Sequence, residues 1–465
     1  MLETTNSVKS LKAFGIHGRF DLIHEFHPGI NILHGRNGTG KTTILHILAN
    51  LLNGDFRRFA FLDFNSIELE LLGGKSISLS RIEDDNEQCI QVSSSPDIPP
   101  DIISCRQAKQ ALSPASNIEN SLADQRRVFE NTYKNLQPIL PTAYFPAFRT
   151  LIEAAGGHND FDPYSDVRLR RRPSQEHLYT STSFSRRFFG EFVPWINYPS
   201  PYEVAYMLGR EALQAESIVS FTDRELLSKA FLDIFSILSS PESETEYEDP
   251  SNVLEAIKLN FTELDISGII SGPVQDEEIY SRLREMIPNA QFRQGLEEIY
   301  VPVLQVYRRA LEKRVQVLNT SSSLIKLFLD SVNSFLEKKR LVIRRLEGSP
   351  IPKVQVQFED DSYASIQSLS SGERQIVTII YSSTHMSDQD IVLIDEPEIS
   401  LHIDWQVKLL SSIAEQLNGK QIITCTHSPV IASGHEDQMA ELSFSNSSQR
   451  ISLPTLDPEE IEDFI

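Results

Sequence analysis

The sequence is poor in cysteine and has no long apolar run. Cys89, Cys105 and Cys425 are odd in number and far apart, which excludes a disulfide framework and a spaced zinc site and fits a reducing compartment. No stretch of eighteen apolar residues occurs, and no basic segment leads into an apolar one at the N-terminus. Neither a membrane span nor a secretory signal is supported, so the expectation is a cytoplasmic protein with no membrane partner. Positive charge is scarce as well. The chain has 43 Lys and Arg against 65 Asp and Glu, a formal charge of −22, so a polyanion is repelled unless a local basic face exists. One stretch provides such a face: from Arg308 to Arg345 ten Lys and Arg stand against three Asp and Glu, a local +7 that leaves −29 elsewhere.

What is present begins with a phosphate-type loop. Gly35, Arg36, Asn37, Gly38, Thr39, Gly40, Lys41 and Thr42 fit G-x-x-x-x-G-K-[ST], behind the apolar run 29–33 and ahead of a helical pattern that starts at Thr43. The glycines let backbone N–H groups turn inward around phosphates, and Lys41 adds a point charge. The Thr42 hydroxyl can ligate Mg²⁺, and the helix N-terminus contributes its partial positive charge.

The 465 residues suffice for two or three domains. Strand patterns at 8–14, 20–26 and 30–33 precede the loop, and those at 67–72, 76–82 and 89–92 predict an antiparallel meander. Residues 117–136 read as helix. The apolar strand 143–148 delivers Arg149, which either reaches a nucleotide phosphate or is an ordinary surface charge. Residues 151–295 show no catalytic pattern; helical stretches at 202–213 and 224–238 and an acidic loop at 242–249 suggest a helical insertion, either a recognition surface or an enlarged cap. Residues 302–346 read as two helical stretches, hence a short antiparallel helical arm carrying the basic face.

Further chemistry follows. Leu369 to Gln375 opens a helix, with Ser370, Ser371 and Gly372 at its start. Ile391 to Ile394 is a fully apolar run ending in Asp395 and Glu396, as a buried parallel strand would. Asp395 suits Mg²⁺, and Glu396 suits a base that orients and polarises water. A second buried strand, 421–426, ends at His427.

In this order, the four pieces resemble the Walker A, signature, Walker B and switch-histidine motifs of ABC-type ATPases, over roughly residues 1–150 and 350–435. The resemblance implies an α/β fold: an ABC-type P-loop head with a mixed sheet, flanking helices and an antiparallel meander, interrupted by the helical insertion and arm. The segments are 1–150, 151–295, 296–350 and 351–465. It also implies ATP and Mg²⁺, catalysis by Glu396 and His427, and at least a head-to-head dimer, with Ser370, Ser371 and Gly372 facing the nucleotide of a second copy. The pair Glu396-Pro397-Glu398-Ile399-Ser400-Leu401-His402 and Thr426-His427-Ser428-Pro429, with Tyr144 to Arg149, resembles the OLD-type branch, which includes ATPase subunits of bacterial phage-defence systems of PARIS or Septu type. Many OLD proteins carry a fused nuclease; here 38 residues follow His427, so the resemblance implies a nuclease on a second chain and a phage-derived trigger. The rival expectation is a DNA-repair or chromosome-maintenance ATPase whose basic arm clamps DNA. A transporter subunit fits the head but not the insertion.

Overall fold

The computed structural model describes residues 6–36, 38–84, 86–94, 100–112, 138–149, 174–239, 249–266, 301–346, 348–384, 388–417, 419–442 and 445–446. The expected helix at 117–136 and nearly all of the acidic loop lie outside them. The chain divides into two compact units, Met1–Asp160 with Arg172–Tyr198 and Ser382–Ile465, and Phe161–Arg171 with Pro199–Tyr381. This cut differs from the four sequence segments, because residues 351–381 group with the helices of the insertion.

The first unit holds two sheets. Strands β1 (Val8–Ile16), β2 (Phe20–Glu25), β4 (Ser66–Leu71), β5 (Ser76–Asp84), β6 (Glu87–Ser93), β7 (Asp101–Ser104) and β15 (Ser445–Asn446) form a sheet in the order β15-β2-β1-β4-β5-β6-β7, antiparallel throughout. Its strands alternate: Ile67, Leu69, Leu71, Ile77 and Leu79 enter the core, while Glu68, Ser76 and Ser78 face water, the pattern of a sheet covered on one face. The second sheet is parallel, in the order β14-β3-β13-β12-β8, from β3 (Ile30–His34), β8 (Thr142–Phe145), β12 (Ile391–Asp395), β13 (Gln421–Thr426) and β14 (Met439–Glu441). Every residue of β8, β12 and β13 is buried, which is why these strands read as unbroken apolar runs. Helix α1 (Lys41–Leu52) packs on β8, β12 and β13 and is buried from Ile44 to Leu52. It joins both sheets into one core. This is the expected α/β head, with parallel and antiparallel sheets.

Three more α-helices among the described residues belong to this unit, α2 (Cys105–Leu112), α3 (Ser174–Phe189) and, last in the chain, α8 (Ile403–Ala414). Behind α1, the buried Asp55 carboxylate lies 3.4 Å from Arg58 and 3.8 Å from Arg186, and Arg58 also pairs with Glu191 at 2.9 Å. The pairing spares these cations an uncompensated burial.

The second unit is built on α4 (Pro201–Ser239), α5 (Pro250–Ile266), α6 (Val301–Asn333) and α7 (Ser371–Ser383), with a small antiparallel sheet of β9 (Lys339–Arg344), β10 (Lys353–Phe358) and β11 (Tyr363–Ala364). The helical pair expected over 302–346 is not there. One continuous helix, α6, runs through both stretches, and the chain then turns into a β-hairpin. The polar run between the two apolar patterns does not break the helix, because its hydroxyls bond back one turn: Thr320 Oγ1 donates to Gln316 O at 2.8 Å and Ser322 Oγ to Leu318 O at 2.7 Å. Likewise the two helical stretches of the insertion form the single helix α4. At Gly209 a Cβ would come within 2.3 Å of Pro352 O, so only glycine permits this close approach of α4 to the segment before β10.

Candidate nucleotide site

Strand β3 hands the chain to α1 through the glycine loop, and Gly38 and Gly40 adopt left-handed φ of 80° and 78°, a region glycine enters without steric cost. The turn aims the first N–H groups of α1 at one place. Lys41 is buried, and its Nζ donates to the carbonyls of Gly35 at 2.8 Å and Arg36 at 3.0 Å. Nζ also lies 3.3 Å from His427 Nδ1. An ammonium offers only donors, so Nδ1 accepts and the imidazole proton sits on Nε2, which faces Glu396 Oε1 at 3.4 Å.

The Thr42 hydroxyl donates to Asp395 Oδ2 at 2.8 Å. The Asp395 carboxyl is pushed up to about 6, chiefly by burial and further by the Glu396 and Glu398 charges, against the Thr42 hydrogen bond and the Arg149 charge. A hydroxyl beside a carboxylate whose charge is this poorly compensated is a hard-oxygen donor set that a divalent cation would relieve. The residues therefore fit Mg²⁺, which Thr42 and Asp395 would hold.

A cavity of about 480 Å³ opens here. It is lined by the polar segment Gly38 to Thr43 with Glu396, His427 and His17, and by the apolar Ala13, Ile16, Phe20, Leu22, Ile44 and Ile47. A lining of both kinds suits a small molecule with a charged part and an apolar part.

Of the residues singled out in the sequence, Gly38 to Thr43, Glu396 and His427 thus meet on one cavity, Asp395 joins them through Thr42, and Gly35 and Arg36 hold Lys41. Asn37 lies outside the described residues. Ser370, Ser371 and Gly372 belong to the second unit, where they start α7. There Ser370 N donates to Glu373 Oε2 at 2.7 Å and Glu373 N to Ser370 Oγ at 3.3 Å, a reciprocal helix cap. Burial pushes the Glu373 carboxyl up, but the Lys339 ammonium and the Ser370 donors outweigh it and hold it low.

Two groups carry more than the sequence suggested. Arg149 neither reaches the cavity nor lies at the surface: it is 1% exposed and turns onto backbone carbonyls of the segment after β12. The Glu398 carboxylate takes three bonds through Oε1, from Thr426 Oγ1 at 2.8 Å, His427 N at 2.9 Å and Ser428 N at 3.1 Å. It fastens the end of β12 to the end of β13. No spacing rule signals either role, since the partners are carbonyls and N–H groups far along the chain. Between them Glu396 and Ser400 sit at left-handed φ of 47° and 65°, each at a cost on the order of 1–3 kcal/mol.

The family model described as "AAA ATPase domain" matches residues 232–432, and the one described as "AAA domain" matches residues 10–137. The chain is an ATPase. No curated protein matches it. Among solved structures, the ATPase is similar to an Smc head domain with an extended coiled coil bound to the C-terminal domain of ScpA from Pyrococcus furiosus (11% identity, 95% of this chain and 96% of that one, TM-score 0.39). It is also similar to an SmcHead bound to the C-winged helix domain of ScpA (10%, 95% and 98%, 0.37) and to an Smc head domain with a coiled coil and joint from Pyrococcus yayanosii (12%, 95% and 97%, 0.36). TM-scores this low add nothing to what the chain's own topology says about its fold. Among the described residues no helix is long and apolar enough to cross a membrane.

Proposed function

We propose that this ATPase is the sensor and scaffold subunit of a bacterial antiphage defence system: ATP closes two copies head to head, a separately encoded effector of nuclease type is held, and a phage component releases it. One observation carries the reading. The three segments that resemble the OLD-type branch, 144–149, 396–402 and 426–429, form a single bonded network around the nucleotide site through Arg149 and Glu398. The scaffold role is supported by α4, which exposes Phe221, Phe231, Leu232 and Phe235, large apolar side chains of the kind that protein partners cover.

In this reading the N–H groups of residues 38–43 and Lys41 bind the phosphates of ATP, and the base lies against Ala13, Phe20 and Leu22. Mg²⁺, when bound, supplies charge stabilisation for the departing phosphate. Glu396 orients the attacking water and takes its proton, and His427 holds Glu396 through Nε2–H. Ser370 and the Gly372 N–H reach the γ-phosphate held by a second copy. The chromosome-maintenance or repair reading rests on the basic stretch, and there Arg314 pairs with Asp223, Lys339 with Glu373, Arg345 with Glu216 and Arg308 with Glu312. Those partners weaken its appeal to a polyanion. The deciding experiment is to express tagged Glu396→Gln from its native neighbourhood and identify by mass spectrometry what copurifies with ATP present. A stoichiometric second protein with nuclease-type acidic residues supports the scaffold; DNA or a repair nuclease instead favours the clamp.

A further inference from the structure

Within the turn that follows β12, Ile399 N donates to Glu396 O at 3.2 Å and Leu401 N to Glu398 O at 3.1 Å, while the Pro397 and Ile399 carbonyls take their bonds from outside it. Glu396 and Ser400 are left-handed, and Pro397 has no N–H to contribute. Arg149 fills this gap. Its Nη1 donates to Asp395 O at 3.0 Å and Pro146 O at 3.1 Å; its Nη2 donates to Glu396 O at 3.0 Å, Pro397 O at 3.3 Å and Ile399 O at 3.4 Å. The guanidinium is buried and arrives from β8, which pairs with β12 in register from Thr142 to Phe145. From the other side Glu398 ties the same turn to the N–H groups of His427 and Ser428, and Gln406 Nε2 donates to Leu401 O at 3.1 Å.

We propose that Arg149 is a positioning residue for ATP hydrolysis, holding the left-handed turn at Glu396 so that its carboxylate stays beside His427 and the glycine loop. It is not among the residues that line the cavity and acts through Glu396. Only a planar fork spans an arc of carbonyls from residue 395 to residue 399; a lysine ammonium, a single point of charge, reaches part of it. The inference rests on the reading of Glu396 as the base.

The test compares wild type, Arg149→Ala, Arg149→Lys, Glu396→Gln and Arg149→Lys/Glu396→Gln in the full chain, by ATP affinity and by single-turnover phosphate release. A displaced base predicts a loss of about 10–100-fold in the rate for both Arg149 variants, with ATP affinity within about threefold of wild type. In the Glu396→Gln background the lysine variant should change the residual rate by less than about twofold, because the group it positions is already gone. Wild-type rates in Arg149→Lys, a collapse of ATP affinity in that variant, or an equal loss in both backgrounds overturns the proposal. If Arg149→Ala does not fold, Arg149→Lys decides. Undiminished turnover in Glu396→Gln would instead sink the reading of the base, an outcome distinct from all of these.

Discussion

The two units of this chain put their polar groups to different uses. In the first, one set of polar groups converges on a cavity and is held by bonds between distant segments: Lys41 with His427, Thr42 with Asp395, Glu398 with residues 426–428. In the second, charged groups pair between elements, as Arg314 does with Asp223 and Arg345 with Glu216, but the hydroxyls of the long helices are satisfied locally. Hydroxyls of α4 and α6 bond one turn back, and Arg308 pairs with Glu312 on the same helix. Long-range satisfaction fixes atoms relative to each other, as chemistry requires. Local satisfaction builds long helices whose outward faces are free to vary. In the proposed reading the groups assigned to the chemistry, except the Ser370 to Gly372 segment, come from the first unit.

The largest blow to the helical unit should come from its core. Phe328 is fully buried on α6, with its ring edge-on to Tyr381 at 5.7 Å between centroids. Phe328→Ala should destabilise that unit by about 3–5 kcal/mol, read as faster hydrogen exchange along α6. Protection equal to wild type would show that α6 does not depend on this packing.

A pH dependence separates the units next. The Asp395 carboxyl is raised from 3.8 to about 6 in the fold. The folded protein therefore binds this proton more tightly than the unfolded chain. The stability it contributes is fully present below pH 4 and lost as pH rises through about 6, a change of roughly 3 kcal/mol. In chelator, the melting temperature of the wild type should fall over this window more than that of Asp395→Asn, and Mg²⁺ should restore it at pH 7. Identical pH profiles for both proteins would remove Asp395 from this role.

How much of this could be read beforehand differs between the units for a physical reason. The meander, the glycine loop and the buried strands ending at Asp395 and His427 were legible, because period-two alternation, unbroken apolar runs and a phosphate loop each leave a local signature. The single helix α6 was not: Asn319 to Ser323 resembles a break unless the hydroxyls are known to bond back. Arg149 was undecidable, since an arginine at a strand end looks the same whether it meets water or a ring of carbonyls. Glu398 is legible only as a member of the 396–402 segment that resembles the OLD-type branch.

Smaller effects sharpen the contrast. Lys41→Ala removes a charged donor from the cradle and should weaken ATP binding by about 10–100-fold, the equivalent of roughly 1.5–3 kcal/mol for a charge-assisted hydrogen bond; titration with a fluorescent ATP analogue checks it, and unchanged affinity contradicts the cradle. Arg345 lies in the helical unit and pairs with Glu216 at a half-exposed position. Reversing it to Glu should cost about 1 kcal/mol or less and leave DNA-stimulated turnover, if any is measured in wild type, to decide the clamp reading: loss of that stimulation would favour the clamp.

The measurement that tests the central claim most directly is single-turnover release of phosphate from ATP by Glu396→Gln, with ATP affinity measured on the same protein. The account predicts affinity like wild type and a rate lower by about 10²–10⁴. A wild-type rate would show that Glu396 is not the base and that the site works by other groups.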